Sequence, residues 1–247
     1  MRRMKNKKLK AILSITGYFL LVVAICISAS MVFHNLYYEQ VYISGSSMYP
    51  TLNGDDDEGD GSIVDFGIVD SHESAIKRIK RFSIISTYYY DDYTLSDTLV
   101  PNPRQKIKRV VAMPNETFKI ESSKLYVLKD GQFEYVEYPF EISPSVEEAY
   151  LGKDVGVTEL GEDEYWVLGD HRDKSRDCGT FKMPIKQNYI IGVLVAIEGR
   201  AKLKVTSYIC ERCGRTFKEV GMCPNCYIVL TAQYDLTNKE YRWPRYY

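Results

Sequence analysis

The stretch KIKRVVAMP, residues 106–114, shows what kind of fold this chain has. It is rich in valine and isoleucine and is closed by a proline, which is typical of a β-strand that ends at a turn. Two charged residues, Lys108 and Arg109, interrupt the apolar run. Consecutive side chains of a strand point to opposite faces, so we expect one of the two to face inward and the other elsewhere.

Runs of similar composition lie on both sides of this strand, separated by Gly, Pro, Asn and Asp. Together they predict a body made mainly of β-strands. The runs are SIVDFGIV (62–69), RFSIISTYYY (81–90), ETFKI (116–120), KLYVL (124–128), FEYVEYPF (133–140), EYWVLGD (164–170) and YIIGVLVAI (189–197). We expect one short helix in SHESAIKRIKR (71–81) and a loop over residues 143–163.

The length and composition of the chain limit its class. A chain of 247 residues has room for one medium-sized domain with appendages. With 45% hydrophobic and 26% charged residues, it is neither disordered throughout nor a polytopic membrane protein. Its formal net charge of −1 gives no basic excess, so we expect no nucleic-acid partner.

The first 33 residues separate charge from hydrophobicity. Six basic residues and no acidic residue lie in positions 1–10, which gives this segment a charge of +6. Residues 11–33, AILSITGYFLLVVAICISASMVF, are uncharged, and the 26 basic and 33 acidic residues after them leave −7. As a helix this apolar run would rise roughly 34 Å, which is enough to cross a bilayer core of about 30 Å.

This pattern predicts a basic cytoplasmic segment at 1–10 and a transmembrane helix at 11–33. Basic residues stay on the cytoplasmic side, so everything from His34 onward should lie outside the cytoplasm, with the bilayer as one partner. A cleaved signal peptide is the alternative, because Ser28 and Ser30 have the small size and spacing that processing prefers. The apolar run exceeds the roughly 7 to 15 residues of a signal core, which favours an anchor.

The stretch SGSSMYPTL, residues 44–52, predicts a turn that can present a hydroxyl group. Gly45 permits unusual backbone angles and Pro50 fixes φ, so the turn is constrained. Ser46 and Ser47 lie between them. A plain surface turn is the alternative interpretation of this segment.

Lys108 is the natural partner for such a hydroxyl group. A lysine among apolar neighbours loses solvation of its ammonium, so its pKa is expected to fall and it can serve as a neutral base. Serine with a lysine base is a known variant of hydrolytic sites. An ordinary exposed strand lysine is the alternative.

The segments SSMYPTL, KRVVAMP and GDHRDKSRD (169–177) together resemble, in this order, the motifs of type I signal peptidases. These membrane-bound Ser/Lys proteases remove signal peptides from exported preproteins. The resemblance covers the anchor and residues 41–197, and it implies that Ser47 is the nucleophile and Lys108 the general base. It implies that Ser175 orients the lysine, and the supporting residues would be Arg109, Asp170, Arg172 and Asp177, which hold the site by charge-assisted hydrogen bonds.

The chain departs from the family's pattern near the second and third motifs. After the second motif, Asn115-Glu116 replaces the common Gly-Asp. In the third motif His171 stands where Asn is usual, and directly after it Cys178 and Gly179 stand where Ser-Arg is usual. The change at Gly179 removes the expected partner of Asp177, for which Arg176 or Lys182 could compensate. The resemblance implies no cofactor for catalysis, and it leaves the second oxyanion donor open between Ser44 and Ser46.

The last part of the chain carries a separate signal, four cysteines in two Cys-x-x-Cys pairs. They are Cys210, Cys213, Cys223 and Cys226, a spacing typical of a zinc ribbon with a closed structural site. Disulfides are the alternative, because thiols outside the cytoplasm tend to be oxidised. The type I signal peptidase pattern has no such appendage, and its partner is unknown.

The sequence therefore predicts four regions. They are the basic segment 1–10, the transmembrane helix 11–33, a mainly β, antiparallel peptidase domain of signal-peptidase type at 34–203, and a zinc-ribbon-like domain at 204–247. The expected function is cleavage of N-terminal signal peptides from exported preproteins at the outer face of the cytoplasmic membrane. The alternative is a membrane-tethered binding or adaptor protein with a decayed peptidase site and a metal-ribbon interaction domain. A self-cleaving Ser/Lys repressor lacks support, because its DNA-reading helices would have to replace the apolar run.

Overall fold

The computed structural model of this chain describes residues 2–54, 61–89, 105–143 and 154–247. The chain divides into two compact units, Met1–Glu39 and Gln40–Tyr247. The first unit is helical and the second is built of β-strands.

Helix α1, Arg2–Tyr37, makes up most of the first unit. Its segment Ser14–Tyr37 is long and apolar enough to cross a membrane, and large side chains such as Phe19 and Ile25 are exposed. An apolar helix surface of this length matches the thickness of a bilayer core. The helix is therefore a candidate membrane anchor, and a signal sequence at the same position would share these properties.

After helix α1 the chain forms strands of two to 20 residues and two single-turn helices. The strands are β1 (Tyr38–Tyr42), β2 (Ile63–Asp70), β3 (Ile84–Thr87), β4 (Lys106–Ala112), β5 (Thr117–Glu121), β6 (Lys124–Lys129), β7 (Gln132–Val136), β8 (Val155–Glu159), β9 (Glu164–Leu168), β10 (Ile185–Lys186), β11 (Ile190–Ile209), β12 (Thr216–Phe217) and β13 (Thr231–Tyr246). The helices are α2 (Glu73–Ile76) and α3 (Cys178–Phe181), and a 3-10 turn spans Gln187–Tyr189.

Two sheets organise these strands within the described ranges. The larger has the order β1-β2-β11-β3-β4-β9-β10, with β12 and β13 also paired to β11. The smaller has the order β7-β6-β5-β8. The pairings among β2 to β13 are antiparallel. The prediction of a mainly β, antiparallel body is thus confirmed.

Two apolar clusters cover the larger sheet. Ile84 and Ile85 are consecutive on β3 and belong to different clusters, so both faces of this strand are covered. The larger cluster includes Val110 and Trp166 and extends to the second sheet. The smaller cluster contains Met48, Leu52 and residues of β11, so it lies directly under the segment that carries Ser47.

Each predicted run of β composition overlaps a strand of the structure, namely β2, β3, β4, β5, β6, β7, β9 or the start of β11. Strand β13 and the two-residue strands β10 and β12 lie outside the predicted runs. The expectation of a loop over residues 143–163 is wrong in part, because β8 (Val155–Glu159) lies within it. Val155 is buried opposite Ile120 of β5, whereas Gly156 weakens the local strand signal. Residues 144–153 lie outside the described residues.

A long hairpin of β11 and β13 extends the larger sheet. Its pairing runs from Ala196↔Tyr246 to Ile209↔Thr231, and the four clustered cysteines follow at the latter end. On its other edge β11 pairs with β2 from Val193 to Lys202. Strand β11 continues without a break through the predicted domain boundary at 203/204. The division into two domains at this position stays a prediction.

Candidate active site

Ser47 lies on the loop between β1 and β2, here called the Ser47 loop (residues 43–54). The neighbouring Met48 and the nearby Leu52 are fully buried in the smaller cluster, and the Leu52 N–H donates to the Met48 carbonyl at 2.9 Å. Ser47 itself is half-buried. The apolar residues that follow Ser47 therefore anchor the turn and leave the serine at the surface of the body.

Two glycines close this loop at its base. Gly45 has φ +73°, a left-handed conformation that suits glycine. A Cβ on Gly54 would lie 2.2 Å from the Gly45 carbonyl oxygen, so only glycine lets the two backbones approach so closely. The sequence interpretation of Gly45 as a permissive turn residue agrees with this geometry.

Lys108 reaches Ser47 from β4. Its Nζ lies 2.8 Å from Ser47 Oγ and also 2.8 Å from the Ile107 carbonyl oxygen. Only 5% of Lys108 is exposed, and it lies on β4, an interior strand between β3 and β9. A buried amine within hydrogen-bond distance of a serine hydroxyl is the arrangement that a lysine general base requires.

Arg109 pairs with Asp170 in a buried, bidentate contact. Its Nε and Nη2 donate to the two carboxylate oxygens at 2.8 and 2.6 Å. Strand pairing explains the meeting, since Arg109 lies opposite Leu168, two residues before Asp170. Thr51 of the Ser47 loop donates its hydroxyl to the same carboxylate at 2.6 Å. The sequence did not single out Thr51, although it lies within the motif SSMYPTL.

Lys108 and Arg109, which were expected to face different ways, have different partners, Ser47 and Asp170. Each of them is only 5% exposed. Both are buried because each face of β4 is covered, by the Ser47 loop at Lys108 and by Asp170 and Phe140 at Arg109. The Arg109 guanidinium also lies 3.7 Å from the ring centre of Phe140, which is favourable for a cation over an aromatic face.

The segment after β9 packs against the main chain of the Ser47 loop. The His171 N–H donates to the Ser47 carbonyl at 3.1 Å, and His171 Nδ1 lies 3.2 Å from the Ser46 carbonyl oxygen. A Cβ on Gly169 would lie 2.3 Å from both the Ser47 carbonyl oxygen and Ser175 Oγ. Gly169 thus lets the buried Ser175 side chain come close to the Ser47 main chain.

Asp177 is fully buried and accepts hydrogen bonds from two backbone N–H groups. Gly169 donates to Oδ2 at 2.9 Å, and Gly179 donates to Oδ1 at 3.1 Å, where Asp177 caps α3. The two candidates for compensating the change at Gly179 have other contacts. Arg176 lies over the Phe181 ring and Lys182 donates to the Asp154 carbonyl.

Arg172 and Cys178 are two further buried residues of this region. The Arg172 N–H donates to the Ser143 carbonyl at 2.6 Å, and its guanidinium lies 4.7 Å from the Tyr138 ring centre. Cys178 accepts from the Val167 N–H, and burial raises the pKa of its thiol well above the ordinary value. Cys178 is therefore a protonated packing residue rather than a reactive thiol.

The four cysteines of residues 204–247, here called the tail, form one cluster. The sulfur atoms of Cys210, Cys213, Cys223 and Cys226 lie within 4.8 Å of one another. A tetrahedral zinc with Zn–S bonds of about 2.3 Å places its sulfurs about 3.8 Å apart. The Sγ atoms of Cys213 and Cys223 are 3.7 Å apart, which fits such a site, whereas a disulfide needs about 2.05 Å.

The two Cys-x-x-Cys pairs have the same backbone hydrogen bonds. The N–H four residues after Cys210 and after Cys223 donates to the carbonyl of that cysteine, at 2.8 Å in both cases. The donors, Gly214 and Tyr227, both have positive φ. Two equivalent turns that aim their thiols at one point are the usual construction of a ribbon-type metal site.

The fold and the serine-lysine contact suggest a class, that of hydrolases with a serine beside a lysine base. A sequence profile described as signal peptidase, peptidase S26, matches residues 15–197. The chain therefore belongs to the signal peptidase family, peptidase S26.

Individual relatives agree with this family. The chain is 30% identical over 158 residues to signal peptidase I V of Bacillus subtilis strain 168, covering 62% of this chain and 80% of that protein. It is 26% identical over 174 residues to signal peptidase I of Bacillus amyloliquefaciens, covering 69% and 78%. It is 24% identical over 160 residues to signal peptidase I P of Bacillus subtilis subsp. natto, covering 63% and 73%.

A solved structure is also similar to part of the chain. It is a signal peptidase I from Enterococcus faecalis, 22% identical, with a TM-score of 0.34. The match covers 49% of this chain and 99% of that one.

Proposed function

We propose that this protein is a membrane-anchored endopeptidase that cleaves N-terminal signal peptides from exported preproteins, with Ser47 as nucleophile and Lys108 as general base. The observation that carries the proposal is the distance of 2.8 Å between Ser47 Oγ and the buried Lys108 Nζ. The membership of the chain in the signal peptidase family supports the substrate class.

The reaction proceeds in two stages. Neutral Lys108 takes the Ser47 proton as Oγ attacks the scissile carbonyl, and the resulting ammonium gives that proton to the leaving amine. Water then attacks the acyl-enzyme, with Lys108 again accepting a proton, and Ser47 is regenerated. The Ser47 N–H is the proposed first oxyanion donor, and Ser44 or Ser46 would supply a second.

The supporting residues act on the two catalytic residues from different sides. Ser175 is proposed to orient Lys108, and Asp177 holds the backbone at Gly169, against which Ser175 packs. Arg109 and Asp170 hold the Ser47 loop through Thr51. Arg172 fixes the following segment against Ser143.

The position of the enzyme follows from the charge pattern. The basic segment 1–10 stays in the cytoplasm, the apolar part of helix α1, Ser14–Tyr37, crosses the membrane, and the body lies outside. The signal peptide of a substrate occupies the same bilayer. Anchoring both partners at one depth reduces the search for productive geometry.

The tail is proposed to bind one structural zinc ion through Cys210, Cys213, Cys223 and Cys226. All four positions of the tetrahedron are then taken by thiolates, so this metal has no open site for water and takes no part in peptide cleavage. Its contribution is to the folding of the surrounding segment.

Cleavage of a preprotein in detergent or vesicles tests the proposed function. Ser47→Ala and Lys108→Met should each lower kcat by at least about a thousandfold, because each removes a group needed for the chemical step. Lys106→Met is the matched control, two positions earlier on β4 and more exposed, and it should cleave at nearly the wild-type rate.

Unimpaired processing by either catalytic variant would contradict the mechanism. Failure of the wild-type protein to process any preprotein would instead favour the alternative of a membrane-tethered adaptor with a decayed site.

A further inference from the structure

One residue, Asp65 on β2, holds both ends of the Ser47 loop. At the entry of the loop the Ile43 N–H donates to the Asp65 carbonyl at 2.8 Å. At the exit the Asp65 N–H donates to the Asn53 carbonyl at 2.8 Å, and the Asn53 N–H donates to Asp65 Oδ2 at 3.0 Å. The position of Ser47 relative to the sheet therefore depends on Asp65.

Two arginines from the long hairpin compensate the charge of Asp65. Its side chain is 2% exposed, and burying an unpaired carboxylate is costly. Arg200 of β11 donates its Nε to Oδ1 at 3.1 Å. Arg245 of β13 donates its Nη2 to Oδ2, the oxygen that also accepts from Asn53, at 3.2 Å.

Arg245 also approaches the Ser47 loop directly. Its Nη1 lies 3.5 Å from the Thr51 carbonyl oxygen, a long contact at the outer limit of a hydrogen bond. The Thr51 hydroxyl in turn donates to Asp170, the partner of Arg109. Arg245 thus lies against both fixed points of the loop, Asp65 and Thr51.

We infer that Asp65, Arg200 and Arg245 position the nucleophile, so that the hairpin beyond the peptidase profile takes part in setting the activity. This inference rests on the proposed role of Ser47. Arg200 and Arg245 both lie outside residues 15–197, the part that matches the family. All three are positioning residues, because they act on Ser47 through the loop.

The physical effect of losing Arg245 should be confined to the loop. Arg200 remains to pair with Asp65, so the body stays folded, but the Asn53 end of the loop loses a charge-assisted partner. Ser47 Oγ then spends less time within reach of Lys108 Nζ. Small displacements of a nucleophile slow the chemical step, so kcat should fall on the order of tenfold while KM stays within about twofold.

The test compares Arg245→Ala with Arg245→Lys and with Arg242→Ala. Arg242 is the matched control, an exposed arginine three positions earlier on β13. Lysine keeps a positive charge beside Asp65 but presents one compact ammonium in place of a planar fork, so it should restore part of kcat. Preprotein cleavage gives kcat and KM, and thermal unfolding checks that each variant is folded.

Hydrogen exchange of the backbone amides in residues 43–54 gives a second measurement that needs no activity. Exchange should be faster in Arg245→Ala than in the wild type and unchanged in Arg242→Ala. Equal exchange in all three proteins overturns the inference, whether or not they cleave. Equal kcat for the wild type and Arg245→Ala overturns it as well. A wild type that does not cleave while Arg245→Ala exchanges faster counts against the proposed function alone.

Discussion

Two candidate sites lie near opposite ends of the β11–β13 hairpin, and their side chains are fixed by different means. Where the hairpin joins the body, near Ala196 and Tyr246, the candidate catalytic residues lie among buried side chains from several strands. At the other end, the cluster of buried residues consists of Leu230 and two of the four cysteines, Cys210 and Cys223. Packing alone can fix the geometry of the first site, whereas the second has little packing, and the proposed zinc ion would supply the bonds that hold it.

The surface of the tail supports this contrast. Its large apolar side chains are mostly exposed, among them Val220, Met222, Tyr227 and Val229. A segment of this size cannot bury enough apolar area to fold on its own, which is why small modules use metals or disulfides. If both proposals hold, the candidate catalytic site and the cysteine cluster of this chain are stabilised independently, the first by packing and the second by a metal.

Removal of the proposed zinc ion should have the largest effect, and this effect should be confined to the cysteine end of the hairpin. Cys223→Ser, or a strong chelator under reducing conditions, should lower zinc from about one ion per chain to none and abolish amide protection over residues 210–230. Structural zinc in small modules is worth about 10–16 kcal/mol, far more than the contacts around the cysteines. Elemental analysis and hydrogen exchange measure the two effects.

The same treatment should leave peptide cleavage within about twofold of the untreated rate, because the hairpin separates the two ends. The 14 residue steps from Thr231 to Arg245 span about 46 Å as a strand. Cys26→Ser, outside the cluster, is the control and should keep its zinc. Free-thiol counts that show two disulfides and no metal would contradict the zinc assignment, and cleavage that falls in step with zinc would contradict the separation.

Breaking the buried ion pair between Arg109 and Asp170 should have a smaller effect than metal removal. It should lower the stability of the body and leave the cysteine cluster unchanged. Asp170→Asn leaves the Arg109 guanidinium buried without its carboxylate, which should lower the free energy of unfolding by about 3 kcal/mol. Urea denaturation measures this loss, and zinc content should not change. The control is Asp173→Asn, a partly exposed residue that contacts His171 and should cost less than about 1 kcal/mol. Equal losses in the two variants would argue against the pair as the fixed point of the Ser47 loop.

Much of the body could be predicted from local sequence because each strand carries its own signal. The run around Lys108 has the composition of a strand and a charged residue where an apolar one is expected. Asp65 gives the same signal in SIVDFGIV, a lone acid in an apolar run, and reading that run as closely would have singled it out.

The partners of these residues could not be predicted, because they depend on strand pairing. Arg245 meets Asp65 across 180 positions of sequence, and no local pattern specifies which strands become neighbours. The surroundings of Arg109 depend on long-range contacts in the same way, since Asp170 lies 61 positions away from it and Phe140 comes from a third segment. Strand β8 was missed because a glycine interrupts a segment of only five residues.

The pH dependence of cleavage tests Lys108 as the base, and it is the smallest of the expected effects. The general base must be neutral, so below the pKa of that base the rate should rise about tenfold per pH unit, or about 1.4 kcal/mol in activation free energy. The sign follows from the role: protonated Lys108 cannot accept the Ser47 proton, and raising the pH removes the block. Cleavage measured from mildly acidic to alkaline pH gives the profile, and a flat profile would contradict a lysine base.

His171→Asn is the matched control for this profile, because His171 contacts the loop that carries the nucleophile. Its N–H donates to the Ser47 carbonyl at 3.1 Å, and its Nδ1 lies 3.2 Å from the Ser46 carbonyl oxygen. An asparagine side chain can still donate toward the Ser46 carbonyl. If Lys108 is the base, His171→Asn should keep the tenfold rise per pH unit, and a flat profile in this variant would contradict the assignment of that rise to Lys108.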